Sequence, residues 1–457
     1  MGENNGSITT SYSNGTVTGE QSVGGLVGGN GDGTITSSYS TGTVTGDYNV
    51  GGLVGYSNSS ITLSFWDMES SGISESDGGV GLTTAEMMDP YMLGLNGLGN
   101  NPNWILDAGR DYPRLTWEGT TGQSIGESEV EWLTGSGTAD DPYCINTSSQ
   151  LIMLSKAGIL WDRHFLLCTD IDLDSDLTGQ YIFGQAVIYS FAGFFDGNDH
   201  VISNLWIKGS NHLGLFGQLA SGAQISNLGL ESVDVNGTGD YIGGLVGSND
   251  GSITNCYSTG SVSGGSHYVG GLVGDNDGGI ITSCYSNGTI TGERYVGGLV
   301  GFNSKSGSIT TSYSNDTVTG EKYVGGLVGW NSSSITSSYS TGTITGEMYV
   351  GGLVGYNSSS ITSSYSTGTI TGERFVGGLV GYNFGGSITS SFWDIETSGK
   401  TTSKGGTGLT TTKMQTANTF LEAGWDFIDE TANGTEDIWW ILEGQDYPRL
   451  SWEAAEQ

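Results

Sequence analysis

Three aspartates are the residues of this chain that could carry out hydrolysis. Asp250 lies in one Asn-Asp-Gly triplet, Asp277 lies in a second, and Asp275 stands two residues before Asp277. Glycoside hydrolysis uses two carboxylates about 5–9 Å apart. Asn-Asp-Gly is also an ordinary turn sequence, and no Arg, Lys or His gathers around either triplet. We therefore expect solvated turn residues and no enzymatic activity.

A second set of carboxylates could bind a cation. Aspartates alternate with other residues between positions 170 and 176, and Ca²⁺ is bound by carboxylate oxygens. The outward face of a strand has the same alternation, so a solvated strand face is the competing interpretation. No other cofactor is expected. The weak candidates for a Ca²⁺ site are Asp170, Asp172, Asp174, Asp176, Asp250, Asp275 and Asp277.

The four cysteines form two pairs by position. Cys256 and Cys284 occupy equivalent places in consecutive repeats, so we expect them to be neighbours, and Cys144 and Cys168 both precede the main run of repeats. Both pairs are possible disulfides. For Cys256 and Cys284, adjacent coils would place the Cα atoms about 4.8 Å apart, a separation that a disulfide tolerates. No Cys-x-x-Cys or Cys/His spacing predicts a zinc site.

A repeated pentapeptide organises the chain that carries these residues. Gly-Gly-Leu-Val-Gly recurs eight times, with 26 to 28 residues between neighbouring copies, and a degenerate copy occupies residues 213–217. A fixed period of this length predicts stacked units that cannot bury their apolar faces alone. The copies begin at Gly24, Gly51, Gly243, Gly270, Gly297, Gly325, Gly351 and Gly377.

Each repeat contains three short strand-like arms. Val-Gly-Gly-Leu-Val is followed by Ser-Ile-Thr-Ser-Ser-Tyr-Ser and then by Thr-Ile/Val-Thr, with Gly, Asn and Ser between them. These turn residues separate strands. The arms predict an all-β fold, a parallel β-helix with coils of 26–28 residues and short helix or hairpin caps. Parallel crossover connections are almost always right-handed, so we expect a right-handed solenoid.

A longer duplication defines the domains. Ser-Phe-Trp-Asp at residues 64–67 returns at 391–394, and Asp-Tyr-Pro-Arg-Leu at 111–115 returns at 446–450. The chain therefore reads as the end of one unit followed by a complete unit, and we expect a fragment of a longer tandem array. The predicted divisions are 1–118 (terminal cap 65–118), linker 119–129, and 130–457 with an amino-terminal cap 130–207, coils 208–390 and a carboxyl-terminal cap 391–457.

Stacking converts equivalent residues into ladders. Two aromatic ladders are predicted, which could be structural or could form a sugar-binding strip. A column of glutamates runs beside basic residues. It predicts a solvated edge on which the basic residues partly offset the repulsion between the glutamates, and a ladder of bound divalent cations is the alternative. Thr-x-Thr arms resemble the flat faces of β-helical ice-binding proteins, although Thr also suits strands. The columns are Tyr257, Tyr285, Tyr313, Tyr339, Tyr365 and Phe392; Phe302, Trp330, Tyr356 and Tyr382; Glu293, Glu321, Glu347 and Glu373; Arg294, Lys322 and Arg374; and the pairs Thr289/Thr291, Thr317/Thr319, Thr343/Thr345 and Thr369/Thr371.

Composition excludes several functions. The 457 residues include 13 Lys and Arg against 48 Asp and Glu, a formal net charge of −35. Nucleic-acid binding needs a basic surface, so we expect no nucleic-acid partner. No run approaches the roughly 18 apolar residues of a membrane span, so we expect no membrane insertion. No signal peptide is visible at the first residues.

These repeats resemble the GLUG motif, named for its Gly-Leu-hydrophobic-Gly core. The resemblance covers the eight cores with their Ser-Ile-Thr and Gly-Thr-Val/Ile-Thr arms, and residues 137–198 resemble the cap that precedes such repeats in large bacterial and archaeal surface proteins. It implies an extracellular or cell-surface β-helix without activity of its own. GLUG repeats also accompany immunoglobulin-cleaving metallopeptidases, but the chain lacks the His-Glu-x-x-His that would bind their zinc.

The most consistent functional hypothesis is a non-catalytic structural and adhesive module of a surface or secreted protein. Its partner would be an unidentified glycan or protein. The alternatives are a polysaccharide-active enzyme or carbohydrate-binding module, and an ice-binding solenoid. The first strands of residues 1–118 have no predicted cap, and only Glu3 and Glu20 provide nearby charge. An uncovered edge is a template for further strands, so self-association through this edge is expected.

Overall fold

Most of the chain is arranged as coils of parallel strands. In the computed structural model, the described residues are 1–94, 98, 101–119, 122–125, 132–174 and 182–456. They form two compact units, Met1–Asp196 with Trp206–Gln218, and Gly197–Leu205 with Leu219–Gln457. The predicted divisions are based on the duplication in the sequence, whereas these two units are defined by the contacts between residues. The amino-terminal cap and residues 1–118 therefore share the first unit.

The first unit begins with a short stack of coils, here called the first stack. Its strands pair in register, as Ile8 does with Ile35 and Ile35 with Ile61. The strands are Glu3–Asn4, Val27–Asn30 and Val54–Ser57; Ser7–Thr9, Thr34–Thr36 and Ile61–Thr62; Tyr12–Ser13, Tyr39–Ser40, Phe65–Asp67 and Val80–Leu82; Val17–Thr18 and Val44–Thr45; and Gln21–Gly24 and Tyr48–Gly51.

Two caps complete this unit. The terminal cap of the first stack has helices Met68–Ser71, Thr84–Met87 and Pro90–Leu93, antiparallel strands Trp104–Leu106, Arg114–Leu115 and Gln123–Ser124, and the 3-10 turn Thr116–Glu118. The last of these strands lies within the predicted linker 119–129. The amino-terminal cap has helix Ser148–Ser155, 3-10 turn Gly158–Leu160 and strands Tyr143–Ile145, His164–Leu167, Ile171–Asp172, Ile182–Phe183, Ile188–Phe191, Phe194–Asp196 and Trp206–Gly209, with Phe216–Leu219 at the unit boundary.

The second unit contains the long run of coils in three sets of parallel strands. One set is Gln224–Ser226, Ser252–Thr254, Ile280–Thr282, Ser308–Thr310, Ser334–Thr336, Ile361–Thr362 and Ile388–Thr389, and another is Val246–Asn249, Val273–Asp277, Val300–Ser304, Val328–Asn331, Val354–Asn357 and Val380–Asn383. The third is Val201–Ser203, Gly229–Gly237, Ile242–Gly243, Tyr257–Gly264, His267–Gly270, Tyr285–Thr291, Arg294–Gly297, Tyr313–Ser314, Thr317–Gly325, Tyr339–Ser340, Ile344–Gly351, Tyr365–Ser366, Ile370–Gly377, Phe392–Asp394 and Thr407–Leu409.

The carboxyl-terminal cap of this unit repeats the first terminal cap. Its helices are Ile395–Ser398, Thr411–Met414 and Ala417–Leu421, its hairpin pairs Trp439–Trp440 with Arg449–Leu450, and it ends in the 3-10 turn Ser451–Glu456. The helix Thr84–Met87 of the first terminal cap begins with a capping box formed by Thr83 and Glu86. The helix of the amino-terminal cap is capped by Thr147. The prediction of a parallel β-solenoid with short caps is confirmed.

Close backbone contacts explain the glycines of the repeated core. A Cβ added at Gly297 would lie 2.8 Å from the Leu327 carbonyl oxygen, and one at Gly298 would lie 2.2 Å from the Gly326 carbonyl oxygen, both in the following coil. Real Cβ atoms cannot approach so closely. The two glycines are therefore required by the distance between coils.

Buried asparagines hold each coil to the next. The Nδ2 of each donates to the Oδ1 of its equivalent in the following coil at 2.7–2.9 Å. Most of these amides also bond to backbone groups, so the ladder leaves few buried polar atoms unpaired. Sequence reasoning did not find this ladder, although Val-Gly-x-Asn is visible in seven of the eight repeats. Its members are Asn249, Asn276, Asn303, Asn331, Asn357 and Asn383.

Gly25→Ala and Gly29→Ala provide a matched test of the glycine requirement. A Cβ at Gly25 would lie 2.4 Å from the Gly52 carbonyl oxygen, whereas a Cβ at Gly29 meets nothing within 4 Å. We expect Gly25→Ala to destabilise the first stack by about 1–3 kcal/mol, as overpacking does, and Gly29→Ala to change stability by less than about 0.5 kcal/mol. Hydrogen exchange at amides of the first stack measures both. Equal effects would contradict the close-approach argument.

Candidate functional site

Of the aspartates identified in the sequence, Asp277 is held by contacts with the following coil, and Asp275 is buried. Asp277 accepts a hydrogen bond from Ser304 Oγ at 3.0 Å and pairs with Lys305 Nζ at 2.6 Å. Asp275 is buried, and its Oδ1 has no hydrogen-bond partner in the described structure. The expectation that no basic residue gathers near these carboxylates is wrong. Lys305 was missed because it comes from the following coil, where it lies next to the repeated core.

Burial changes the acidity of this cluster. Burial, together with the carboxylates of Asp277 and Asp250, raises the pKa of Asp275 from 3.8 to about 8. Burial, and then the charge of Asp277, also raises the pKa of Asp250. A neutral Asp275 cannot act as a base near neutral pH. Among the described residues, no group of three or more His, Cys, Asp or Glu side chains is arranged to hold a metal ion.

Asp316 is a second buried carboxyl group in the same unit. It accepts hydrogen bonds from Ser286 Oγ at 3.1 Å and Ser314 Oγ at 2.8 Å. Burial raises its pKa from 3.8 to about 7, although these hydrogen bonds oppose the shift. The next coil has Gly342 at the equivalent turn. Asp316 is therefore an inward-pointing substitution in an otherwise glycine-bearing turn.

The aspartates of the amino-terminal cap follow a strand alternation. Ile171 and Leu173 are buried, whereas Asp170 and Asp174 are exposed. Asp172 accepts a hydrogen bond from the Asp174 backbone N–H at 2.9 Å. Asp176 lies outside the described residues. This arrangement matches the solvated-face interpretation, and the calcium site stays a prediction.

The two cysteine pairs differ. Cys144 and Cys168 form a disulfide with their Cα atoms 5.8 Å apart. Cys256 and Cys284 lie in adjacent coils as buried free thiols, and burial, then the Cys284 thiol, raises the pKa of Cys256. Each Sγ donates to the carbonyl two residues earlier at 3.2 Å, as Ser312 Oγ does at 2.8 Å. The thiols therefore replace serines in a ladder.

Aromatic stacking follows the first predicted column, whereas in the second column Phe302 and Trp330 meet edge to face at 6.0 Å. Ring centroids from Tyr257 to Tyr365 are 4.7–5.0 Å apart in successive coils, with nearly parallel planes. A third ladder, which sequence reasoning missed, has centroid spacings of 4.9–5.0 Å. Every member has positive φ, between 54° and 65°, a region that bulky residues seldom adopt. Its members are Tyr241, Tyr268, Tyr295, Tyr323, Tyr349 and Phe375.

The basic residues beside the glutamate column lie over these rings. Lys322 Nζ lies 4.7 Å from the Tyr323 ring centroid, and Arg294 and Arg374 lie 5.8 and 5.9 Å from the rings that follow them. Cations over aromatic faces gain electrostatic attraction. The four glutamates are exposed. The three basic residues therefore make cation–π contacts, and their compensation of the glutamate charges stays a prediction.

The eight threonines of the Thr-x-Thr arms are exposed and their coils pair in register. They form two parallel rows of hydroxyl and methyl groups on one face. Exposure satisfies one requirement of the ice-binding alternative, and it is equally what an outward strand face provides.

A groove of about 630 Å³ opens where the Tyr257 ladder ends. Tyr257 pairs in register with Gly229, which has no ring to continue the ladder. On the other side, Trp452 stacks on Tyr285 and Tyr313 at 6.2 and 5.6 Å and donates Nε1–H to the Thr311 carbonyl. The groove therefore lies between the end of the cap and the end of the ladder. Its lining includes Asp199, Asn227, Asn255, Ser283, Tyr257, Tyr285 and Trp452.

In-register coils, amide ladders and ring ladders define the protein as a parallel β-solenoid repeat protein. The family model of the GLUG motif matches six of its segments, at residues 19–45, 238–263, 265–291, 292–319, 320–345 and 346–371. The chain thus carries GLUG repeats, and the resemblance found in the sequence is confirmed.

Two relatives share part of the chain. Halomucin of Haloquadratum walsbyi is 33% identical over 137 residues, which are 28% of this chain and 2% of halomucin. A "Putative Gly-rich membrane protein" of Evansella cellulosilytica is 31% identical over 141 residues, which are 29% of this chain and 16% of that protein. The chain therefore spans a small part of the length of these relatives.

A solved structure is also similar. It is titled as a "putative immunoglobulin A1 protease from Bacteroides ovatus" and matches with 22% identity and a TM-score of 0.45, over 70% of this chain and 94% of that chain. No helix in the described residues combines the length and apolar character needed to cross a bilayer.

The buried carboxyl groups predict a pH dependence of stability. Below about pH 4, folded and unfolded chains both bind these protons and the full stability is present. As pH rises, the unfolded chain loses its protons first, so stability falls until about pH 7 for Asp316 and about pH 8 for Asp275. We expect Asp275→Asn and Asp316→Asn each to flatten this fall, measured as denaturation midpoints from pH 4 to 9.

Glu321→Gln is the control, because it removes the same charge from an exposed side chain. Its curve should run parallel to that of the wild-type protein. Curves for Asp275→Asn and Asp316→Asn that also run parallel to wild type would contradict the role assigned to burial.

Proposed function

We propose that this chain is a non-catalytic structural and adhesive module of a cell-surface or secreted protein. The observation that carries the proposal is the continuous asparagine ladder from Asn249 to Asn383, which joins successive coils by side-chain hydrogen bonds. The aromatic ladders run across the same coils and add stacking energy. Such a stack keeps its form without a cofactor and serves as a spacer.

The relatives support this proposal. One of the two is named as a membrane protein, and both match this chain through a small share of their own length. A repeat module of a much longer protein has this pattern of similarity. The lopsided charge of −35 also favours a soluble module that repels other acidic surfaces.

The polysaccharide-cleaving alternative has weaker support. Asp277 already pairs with Lys305, and Asp275 is buried beside it with a raised pKa. A general acid and a base need access to a substrate between them. The carboxylate cluster around Asp275 is better explained by a change within one aromatic column, because Asp275 pairs in register with Phe302 and so occupies the position of a ring.

Surface display is tested by labelling cells that make the protein. An antibody against the second unit should label intact cells as strongly as permeabilised cells, whereas an antibody against a cytoplasmic protein should label only permeabilised cells. Labelling that requires permeabilisation would contradict the proposal. Cleavage of a polysaccharide that is lost in Asp277→Asn would contradict its non-catalytic part.

Glycan binding is the adhesive role that the groove favours. Ligand sites combine aromatic walls with a few polar groups that fix orientation. Here Tyr257, Tyr285 and Trp452 provide rings, and Asn255 and Ser283 provide amide and hydroxyl groups. Rings pack against the apolar face of a sugar, and the amides and hydroxyls bond to its hydroxyl groups. A volume of about 630 Å³ accommodates a short oligosaccharide.

The duplication offers a matched pair of variants for this role. Trp452 lines the groove, whereas its counterpart Trp117 is 77% exposed. On a glycan array, Trp452→Ala should lose at least about tenfold in affinity, equivalent to about 1.4 kcal/mol, and Trp117→Ala should keep it. Tyr257→Ala provides a second groove variant that leaves the cap contact of Trp452 intact. Binding that survives both groove variants would contradict this site.

A further inference from the structure

The duplication gives the protein two versions of one surface. Residues 74–86, the first closing surface, end the first stack, and residues 401–413, the second closing surface, end the coils of the second unit. Their backbones are held alike: Ser76 Oγ accepts from Leu53 and Val54 N–H, as Ser403 Oγ does from Leu379 and Val380 N–H. Both therefore present equivalent positions in the same geometry.

The first closing surface is covered by the amino-terminal cap, within the first compact unit. Tyr189 OH donates to the Asp77 carbonyl at 2.7 Å, and His212 Nδ1 lies 3.2 Å from the Asp77 carboxylate. Gln185 Nε2 donates to the Gly79 carbonyl at 3.2 Å. Asp77 is completely buried and His212 is 2% exposed. This contact is a specific joint between the end of a stack and a cap.

Opposite charges face each other across the joint. Lys156 of the cap pairs with Glu86 at 2.6 Å, and both side chains are mostly buried. The pKa of Glu86 is lowered, because the hydrogen bond and charge of Lys156 outweigh burial. Burial raises the pKa of Glu75 and the charge of Lys208 opposes that rise. Three acidic residues of the closing surface thus face three basic positions of the cap.

The second closing surface has lost all three acids. Glu75 corresponds to Thr402, Asp77 to Lys404 and Glu86 to Lys413. Two of the three positions therefore reverse their charge, in a chain with only 13 basic residues. Lys404 and Lys413 are exposed, whereas Asp77 is buried and Glu86 is half-buried. The same geometry is thus presented to solvent with the opposite charge.

We propose that the second closing surface is the docking site for an amino-terminal cap of the same fold that carries acidic side chains where this chain has Lys156, Lys208 and His212. The proposal extends the contact already made by the first closing surface. Charge complementarity selects the partner, because a basic cap would place like charges together and lose affinity. The charges of the joint thereby specify which cap follows which stack. This inference is independent of surface display and of glycan binding.

The full chain with Lys156→Glu and Lys208→Glu tests the proposal. Its acidic cap should leave the acidic first closing surface and bind the basic second closing surface of another copy. We expect faster hydrogen exchange at Gly78, Gly79 and Val80, and an average mass in sedimentation that at least doubles with rising concentration. Added salt should weaken the association by screening.

Adding Lys404→Glu and Lys413→Glu to this variant should restore the monomer mass while the exchange stays fast. The control is Arg110→Glu with Arg163→Glu, which changes the net charge equally in the first unit and should stay monomeric with slow exchange. A monomer at every concentration, or association that survives the added changes at Lys404 and Lys413, would overturn the proposal.

Two further variants with the charges exchanged the other way provide a second test, which applies if the chain with the acidic cap does not fold. Asp77→Lys with Glu86→Lys frees the basic cap of one chain and also removes the hydrogen bond from the Ser57 N–H to the Asp77 carboxylate; Lys404 and Lys413 occupy the equivalent positions of the second closing surface. Lys404→Asp with Lys413→Glu makes the second closing surface of another chain acidic. We expect the two chains to associate when mixed and neither to associate alone. Absence of association in the mixture would also overturn the proposal.

Discussion

The spacing between coils is the constraint on which the rest of this structure depends. Parallel strands in neighbouring coils must approach to about 4.8 Å, and here the backbone carbonyls of one coil occupy the space where a Cβ of the next would lie. Only glycine fits at Gly297 and Gly298. Once that distance is set, equivalent side chains meet in register, and amides, hydroxyls and rings stack at a single separation. The close approach of the coils that requires glycine in each repeat also brings equivalent asparagines within hydrogen-bonding distance of one another.

The period of the sequence was sufficient to predict the coils, their register and two of the aromatic ladders. It could not reveal the asparagine ladder's hydrogen bonds, because Asn also suits turns and its inward direction depends on the completed coil. The ladder from Tyr241 to Phe375 was missed for a related reason. Its tyrosines precede a strand core at a position of positive φ, which the sequence pattern of a bulky residue does not suggest.

Residues that break the columns were harder to interpret than residues that continue them. Asp275 takes the place that Phe302 and Trp330 hold in later coils, and its side chain is buried. Lys305 reaches Asp277 from the next coil. The repeated sequence predicts contacts between residues that occur in every coil. The contacts of Asp275, Asp277 and Lys305 involve residues that do not recur in every coil, so the repeat does not predict them. The groove beside Trp452 has the same origin, since it exists because Gly229 interrupts a ladder of rings.

The two closing surfaces share the residues that hold their backbones in place but differ in the charged residues available to a partner. The residues that hold each closing surface in place are retained: Ser76 and Ser403 bind the same backbone groups, and Trp66 and Trp393 donate to equivalent carbonyls at 2.9 Å. The two acids that contact the cap, Asp77 and Glu86, correspond to the exposed Lys404 and Lys413 at the second end. The change reverses the electrostatic preference of the surface, and a lysine at the position of Asp77 cannot accept the hydrogen bond that the Asp77 carboxylate receives from the Ser57 N–H. Tandem solenoids can therefore keep one internal architecture while each end acquires its own partner.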